Sequence, residues 1–427
     1  MKKFNRILSV IICLSLMLSA LATLTSCNGD GESEGTDADS ASELQKEPDT
    51  VYKEDLEKYS LVIPKNVGAN LKAVAENMLE TLNTSWRTSI AMVTDDAAEA
   101  GEYEILLGKT NRAETEQFAA KVGEGECGYG VVGRKIVIFA DEENYVEKAV
   151  SIFLSLVVFA SRSTAVKYMD NNLENIVDVS NMLSVMSFNV RVGHGGTMQG
   201  VVSKVIKTYM PDLLGVQEAD SEWMGALRGR LGKNGYAAVG LGRDSDDTGE
   251  RTAIFYRTDT LELIDHTTLW LTDTPGEVSK VEGSLCNRIV TVATFKRISD
   301  GKEFAFASTH LDHSSAEVRE EQMKYLYADI SSFTNLPHLL VGDFNCARSE
   351  DAYKLASEEF GYENCSIIAK EARGRASATY VAGGIIDYCF RSANSPFDPY
   401  LYAVCSETKN NKVVSDHYPI LVMAELK

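Results

Sequence analysis

Apolar positions along this chain fall into three patterns that change with distance from the N-terminus. Ile7 to Leu24 is apolar or small throughout, and residues 28–50 hold almost no large apolar side chain. From residue 51 the apolar positions become periodic. Leu71, Val74, Ala75, Met78, Leu79 and Leu82 recur at helical spacing, and Val146, Ala149, Val150, Phe153, Leu154 and Val157 repeat it within Tyr145 to Phe159. Glu104 to Leu107 and Lys135 to Phe139 read as strands, so residues 51–180 are expected to form a small α/β accessory domain.

A new alternation starts just after Asp178 to Met182, the expected boundary. Leu183 to Phe188 predicts a strand ending on Asn189. Val202, Val205, Ile206 and Tyr209 predict a helix, closed before Pro211 because the residue ahead of a proline disfavours the helical conformation. Leu213 to Val216 returns as a strand and delivers Gln217-Glu218. Further strands are expected at 252–257, 289–295, 304–310, 338–342, 385–390 and 418–425. A helix is expected over 315–332, opened by Ser314 or Ser315 as N-cap with Glu317 in its first turn. Many strands with few helices between them predict an α+β layered sandwich over residues 181–427 rather than a doubly wound sheet.

The leader changes where the chain is expected to work. Lys2, Lys3 and Arg6 precede the apolar run, and Leu24-Thr25-Ser26-Cys27 ends it. That ending resembles a bacterial lipobox: residues 1–26 are a cleaved export signal, and Cys27 is acylated to become the mature N-terminus. An uncleaved anchor would leave the rest of the chain on the same side of the membrane. Residues 27–50, rich in Gly, Ser, Asp, Glu and Thr, are too polar to bury a core and read as a disordered acidic tether. The expected location is extracytoplasmic, lipid-anchored to the cell membrane through Cys27. The chain is expected to act as a monomer.

Formal net charge is −20, and the leader contains three bases and no acid, so its removal makes the chain more acidic still. Residues 181–427 hold 33 acids and 25 bases, so most of the excess lies nearer the N-terminus. No Lys/Arg cluster advertises a nucleic-acid face, although phosphate contacts supply most non-specific affinity in such proteins. Acidity also suits solubility at a membrane surface. Outside the leader and Cys27, six cysteines remain at 127, 286, 346, 365, 389 and 405. Their spacing matches no zinc site, six thiols allow many pairings, and none is assigned.

The chemistry gathers at the ends of apolar runs. Leu339-Leu340-Val341 leads into Gly342-Asp343-Phe344-Asn345, where a carboxylate and an amide two residues apart project from one face of a strand end. Alone, this is an ordinary turn sequence. It occurs together with Ser187-Phe188-Asn189, Gln217-Glu218, Gly249-Glu250, Arg288, Thr309-His310-Leu311, Ile386-Asp387-Tyr388 and Ser415-Asp416-His417-Tyr418-Pro419. In this order the set resembles the endonuclease/exonuclease/phosphatase family, which includes deoxyribonuclease I, exonuclease III, bacterial sphingomyelinases and inositol-polyphosphate 5-phosphatases. The resemblance covers about residues 181 to 427. It implies a four-layered α/β/β/α sandwich of the deoxyribonuclease I type. The order of segments in residues 51–180 loosely resembles accessory domains of secreted carbohydrate-active bacterial enzymes, and identifies no binding residue there.

Phosphoesters resist attack because their charge repels nucleophiles and their leaving alkoxide is poor; a divalent cation offsets both. Hard cations such as Mg²⁺, or Mn²⁺, prefer oxygen ligands. Glu218 is the best protein ligand, and the resemblance places Asn189 and Asp416 beside it. A general base near neutral pKa points to histidine. His417 fits that role, with Asp387 as the carboxylate that orients it. Asp343 would position or help deprotonate the attacking water, while Asn345, Asn189 and Arg288 face phosphate. The resemblance makes His310 a charge stabiliser or proton donor, partnered by Glu250. Arg288 and Arg319 also suit a bracing role in ion pairs, and Asp312 and His313 suit either the site or the helix entry.

The reaction expected is in-line attack by water with no covalent intermediate. Small or lipid phosphoesters fit the acidity and the tether. A secreted deoxyribonuclease or ribonuclease is the alternative, and a non-catalytic surface-binding lipoprotein is a third reading that candidates at every catalytic position disfavour.

Overall fold

The computed structural model of the chain describes residues 47–427 apart from 48, 98, 159–166, 171, 406–407 and 410–411. The apolar leader, Cys27 and nearly all of the polar tether lie outside the described residues. No described helix is long and apolar enough to cross a membrane.

The first sheet is built from β1 (Ser60–Ile63), β2 (Ala91–Thr94), β3 (Glu104–Leu107), β4 (Glu126–Val132), β5 (Lys135–Ala140) and β6 (Asn175–Asp178), in the order β2-β1-β3-β5-β4-β6. The helical stripes anticipated above become α1 (Ala69–Trp86) and α3 (Val146–Phe153), which continues as a wider π-helical turn over Leu154–Val158. Between them, α2 (Ala113–Ala119) covers the opposite face of the sheet, where Phe118 packs with Val62, Leu106 and Val137.

Two further sheets follow. One takes β7 (Met182–Asn189), β8 (Leu213–Ala219), β9 (Tyr236–Val239), β10 (Arg251–Arg257), β16 (Glu371–Arg373), β18 (Phe397–Val404) and β19 (Ile420–Leu426), in the order β9-β10-β8-β7-β19-β18-β16. The other takes β11 (Leu261–Trp270), β12 (Ile289–Arg297), β13 (Glu303–His310), β14 (His338–Asp343), β15 (Glu363–Asn364) and β17 (Asp387–Arg391), in the order β11-β12-β13-β14-β17-β15.

Side-chain alternation explains why the central strands read as unbroken apolar runs. In β7, Leu183 and Val185 enter the core between the two sheets, while Met186 and Phe188 enter the core beneath the helices. In β14, Leu339 and Val341 face the inter-sheet core and Leu340 faces outward onto helix. Both faces are buried, so both parities are apolar. Outside the seven-stranded sheet lie α4 (Gly195–Tyr209) and α5 (Ser221–Leu231). Outside the six-stranded one lies α6 (Ala316–Phe333), through Met323, Leu326 and Ile330. The result is an α/β/β/α sandwich of the deoxyribonuclease I type.

Local signals behave as their chemistry predicts. Ser315 caps α6, its Oγ accepting from Val318 N at 3.3 Å. Asp220 caps α5 in the same way, from Trp223 N at 2.9 Å. Helix α4 ends at Met210 in the left-handed conformation, directly before Pro211.

The N-terminal sheet is not held at arm's length. Leu71, Val74 and Met78 of α1 and Val150 and Phe153 of α3 belong to the same core as Val202, Val205 and Ile206 of α4. Buried ion pairs cross the same junction: Lys148 meets Asp212 at 3.1 Å, and Arg257 meets Glu147. Besides the N-terminal β1, β2, β4 and β6 and the short β15 and β16, strands β9, β11 and β18 were not anticipated. β11 lies at a sheet edge with a mostly exposed middle, and β18 carries Pro399 at a break in register, so neither shows a clean alternation.

Candidate active site

The site forms where the central strands of both sheets end together. β7 ends on Asn189 and runs parallel to β8, with Gln217 beside Asn189. In the facing sheet His310 pairs with Asp343, and Asp343 pairs with Asp387. Two glycines allow the approach. A Cβ on Gly342 would collide with the Thr309 carbonyl oxygen, and one on Gly215 would press on Val341 and Ser308 of the opposite sheet. Beneath the site, Gln217 Nε2 donates across the sheets to Ser308 Oγ at 3.2 Å.

Backbone strain marks two of the candidate residues. Glu218 has φ 60° and Asn345 φ 49°, left-handed conformations that turn their side chains out of the strand ends.

Asn189, fully buried, binds the acids together. Its Nδ2 donates to Glu218 Oε1 at 2.8 Å and to Asp343 Oδ2 at 3.0 Å, and its Oδ1 accepts from Arg191 N. Glu218 Oε2 accepts from Val192 N at 2.8 Å. On the other side, His417 Nδ1 lies 2.9 Å from Asp387 Oδ2, and its Nε2 lies 3.5 Å from Asp343 Oδ2. His310 Nε2 approaches the same oxygen at 3.4 Å, so Asp343 stands between two imidazoles.

This packing shifts proton affinities. Burial, and then the neighbouring Asp387, push Asp343 up to about 7. Burial works against a charged His417, but Asp387, Asp343 and Asp416 outweigh it and raise the imidazole to about 9. His310 goes the other way: burial, with Arg288 and His417 nearby, holds it well below its usual value. Asn345 Nδ2 donates to the Leu311 carbonyl at 3.0 Å, which orients the amide and turns the same nitrogen toward His310 Nε2, also at 3.0 Å. His310 is therefore neutral, with Nε2 as acceptor.

Not every anticipated pairing is seen. Glu250 lines the same small cavity as His310, but its carboxylate binds Arg243 at 2.7 Å. Burial raises the Glu250 carboxyl above its usual range. Asp416 lies 3.5 Å from Arg191, outside the two groups with metal-binding geometry among the described residues. Arg288 braces: it reaches Asp312 at 3.4 Å and His313 Nδ1 at 3.2 Å.

Four further residues support the site. Ser415 Oγ donates to the Asn189 carbonyl at 2.7 Å and accepts from His417 N at 3.2 Å. Thr379 Oγ1 accepts from Asp387 N at 3.1 Å. Asp312, fully buried, gathers the loop before β12 through Ser284 Oγ and Cys286 N. Arg243 neutralises Glu250. Ser415 lies two residues before His417 and Asp312 two after His310, whereas Thr379 and Arg243 gave no local signal. Tyr380 lays its ring 5.0 Å from that of His417.

The groups with metal-binding geometry are Glu218, His310 and Asp343, and Asp343, Asp387 and His417, each with ligand atoms within 4.8 Å of one another. The first fits a divalent cation on an independent observation. Glu218 and Asp343 converge on a single electropositive Nδ2 group, the arrangement two carboxylates adopt around a shared positive centre.

Comparison with known proteins agrees with this geometry. A sequence model described as the Endonuclease/Exonuclease/phosphatase family matches residues 186–417. A solved family member from Bacteroides thetaiotaomicron is 26% identical with TM-score 0.54, over 57% of this chain and 97% of that one. A mannosyl-6-phosphatase from the same organism is 26% identical with TM-score 0.52, over 56% and 98%. Nocturnin of Drosophila melanogaster is 30% identical over 166 residues, 36% of this chain and 24% of its own length. The chain thus spans about a quarter of that relative.

Proposed function

Because this chain belongs to the endonuclease/exonuclease/phosphatase family, we propose that it is a metal-dependent hydrolase of small or lipid phosphoesters, acting outside the cytoplasm on a lipid tether at Cys27. The observation that carries the reaction class is Asp343 Oδ2 set within 3.5 Å of His417 Nε2, with Asp387 on the far nitrogen of the same ring. With its pKa raised to about 9 the ring is a cation near neutral pH and faces the phosphoryl charge, so Asp343, near neutrality, takes the proton from water. Asp387 fixes the ring, Ser415 fixes its backbone, and Asp343 aligns the attacking water. Substrate entry would turn one Asn345 N–H from His310 Nε2 to a phosphoryl oxygen, and the freed Nε2 would take the tautomer that donates there as well.

Glu218 and Asp343 are the residues that would hold Mg²⁺ or Mn²⁺, while Asn189, its Oδ1 taken by Arg191 N, would align their carboxylates, and Asp416 would join only on leaving Arg191. Such an ion polarises the phosphoryl group and stabilises the leaving oxygen. Water then attacks in line, and no covalent enzyme intermediate forms.

Two observations favour a small substrate over nucleic acid. Each guanidinium around the site is answered by a carboxylate: Arg191 by Asp416, Arg243 by Glu250 and Arg288 by Asp312. A polyanion track needs cations left over for phosphates. The mannosyl-6-phosphatase is also a structural neighbour of full catalytic-domain coverage.

The test is hydrolysis by the full chain of hexose 6-phosphates, a phospholipid and plasmid DNA, with Mg²⁺ or Mn²⁺ and with EDTA. Metal-dependent release of phosphate from a sugar or lipid ester is expected, with DNA left intact. Faster DNA cleavage would make the protein a nuclease, and no turnover of any ester with metal present would make it a binding protein. Separately, Cys27→Ser should move the protein from the membrane to the soluble fraction; retention there would refute the tether.

A further inference from the structure

Two thiols buried beneath the catalytic cluster carry a chemistry the hydrolase does not use. β15 pairs antiparallel with β17, with Glu363 opposite Arg391 and Asn364 opposite Phe390. One step beyond the ladder the chain enters a short helix at Cys365, beside Cys389 of the neighbouring strand. The last paired residues of an antiparallel ladder stand about 4.5–5.5 Å apart at Cα, so the residues that follow them start from a comparable separation. A disulfide spans Cα separations of about 4.4–6.8 Å. Both side chains enter the inter-sheet core and both are fully buried. The remaining described cysteines are scattered: Cys127 and Cys405 in the core beneath the helices, Cys346 in the outer core and Cys286 in a loop.

We propose that Cys365 and Cys389 form a disulfide when the chain folds in an oxidising environment. The bridge would join the edge strand β15 to β17 two residues from Asp387. It would close the stretch 365–389, which carries Thr379, the acceptor for Asp387 N, and Tyr380, which packs on His417. The clamp therefore holds both ends of the segment that positions the carboxylate of the relay.

The thiolate is the attacking species in exchange, and contact with Cys365 together with burial holds the Cys389 thiol well above its usual value. Oxidation therefore belongs to folding, before β15 docks. One cysteine thiolate attacks a small disulfide such as oxidised glutathione and releases one glutathione thiolate. The second cysteine thiolate attacks the mixed disulfide and releases the other. Two electrons pass to glutathione, and the two cysteine protons end on the released thiols.

The experiment uses the full chain made in a disulfide-forming bacterial host and in a reducing one, alkylated without reduction, digested and mapped by mass. A peptide linking Cys365 to Cys389 is expected from the oxidising host only, with a melting temperature about 5 °C above the reduced form. Cys389→Ser should abolish that difference between hosts. Alkyl label on both thiols of native protein from the oxidising host, or either thiol joined to another cysteine, overturns the proposal. Neither result bears on hydrolysis, so the reading of the active site stands or falls separately.

Discussion

Two buried clusters of charge, one in each half of the molecule, follow opposite logics. In the N-terminal sheet Glu104 is almost wholly buried, yet it is surrounded by cations. Arg112 Nε reaches both of its oxygens at 3.2 Å, Lys135 reaches one at 2.8 Å, and Gly101 N donates at 3.1 Å. Lys135 in turn meets Glu114 at 3.0 Å. Burial pushes the Glu104 carboxyl up, but these partners hold it below its usual value. Asp343 is equally buried and has the reverse surroundings: a second carboxylate beside it, two imidazoles, and a proton affinity near neutrality. The difference teaches that burial alone does not mark a functional acid. A buried carboxylate answered by opposite charge is a fastening, and one left beside its own kind holds a proton that chemistry can use.

Paired substitutions break the comparison if it is wrong. Asp343→Asn is expected to lower kcat/KM on the preferred phosphoester by about 10³-fold or more, because it removes the acceptor at the attacking water. Its melting temperature should stay level or rise, since the like-charge contact with Asp387 goes too. Glu104→Gln should do the opposite. Stranding Arg112 and Lys135 in the interior costs roughly 3 kcal/mol of stability, read by urea unfolding, while kcat/KM stays within about twofold. Retained turnover in Asp343→Asn, or an inactive but stable Glu104→Gln, would show that the two clusters have been assigned the wrong way round.

Much of the candidate cluster that the structure brings together was legible as a set of strand ends, because its residues sit where apolar runs stop. Asn189, Glu218, His310, Asp343 and Asp387 each lie at a strand end, and a strand buried on both faces announces its end by its first charged residue. The supporting residues were not legible in that way. Ser415 acts on a carbonyl 226 positions away, and Asp312 gathers partners 26 and 28 positions earlier. No window of sequence contains both halves of such contacts. Strand β11 was missed because an exposed edge strand tolerates polar residues on both faces. The pairing of Glu250 with Arg243 was equally hidden, because either residue alone is an ordinary loop charge. Cys365 and Cys389 illustrate the limit most directly: only the meeting of β15 and its following helix with β17, in one shared core, singles them out among six thiols.

The smallest effect, and the one that sharpens the contrast furthest, is the pH dependence of stability in metal-free protein. His417 is raised from an ordinary 6.5 to about 9 in the folded chain. Its contribution is therefore fully present below pH 6.5 and is lost as pH rises through 9. Asp343, raised to about 7, works in the same direction over a lower window: the unfolded chain gives up that proton near 3.8, so burial becomes steadily more costly up to pH 7. Glu104, held low, has lost nothing in this range and contributes no slope. Urea unfolding in EDTA should then show roughly 2 kcal/mol less stability at pH 9 than at pH 6.5. Asp387→Asn, which removes the main support for the imidazolium, should flatten the curve, and Glu104→Gln should lower it without changing its slope. A wild-type curve that rises toward pH 9 would mean that His417 is not held as a cation by Asp387, and the relay would lose its cationic arm.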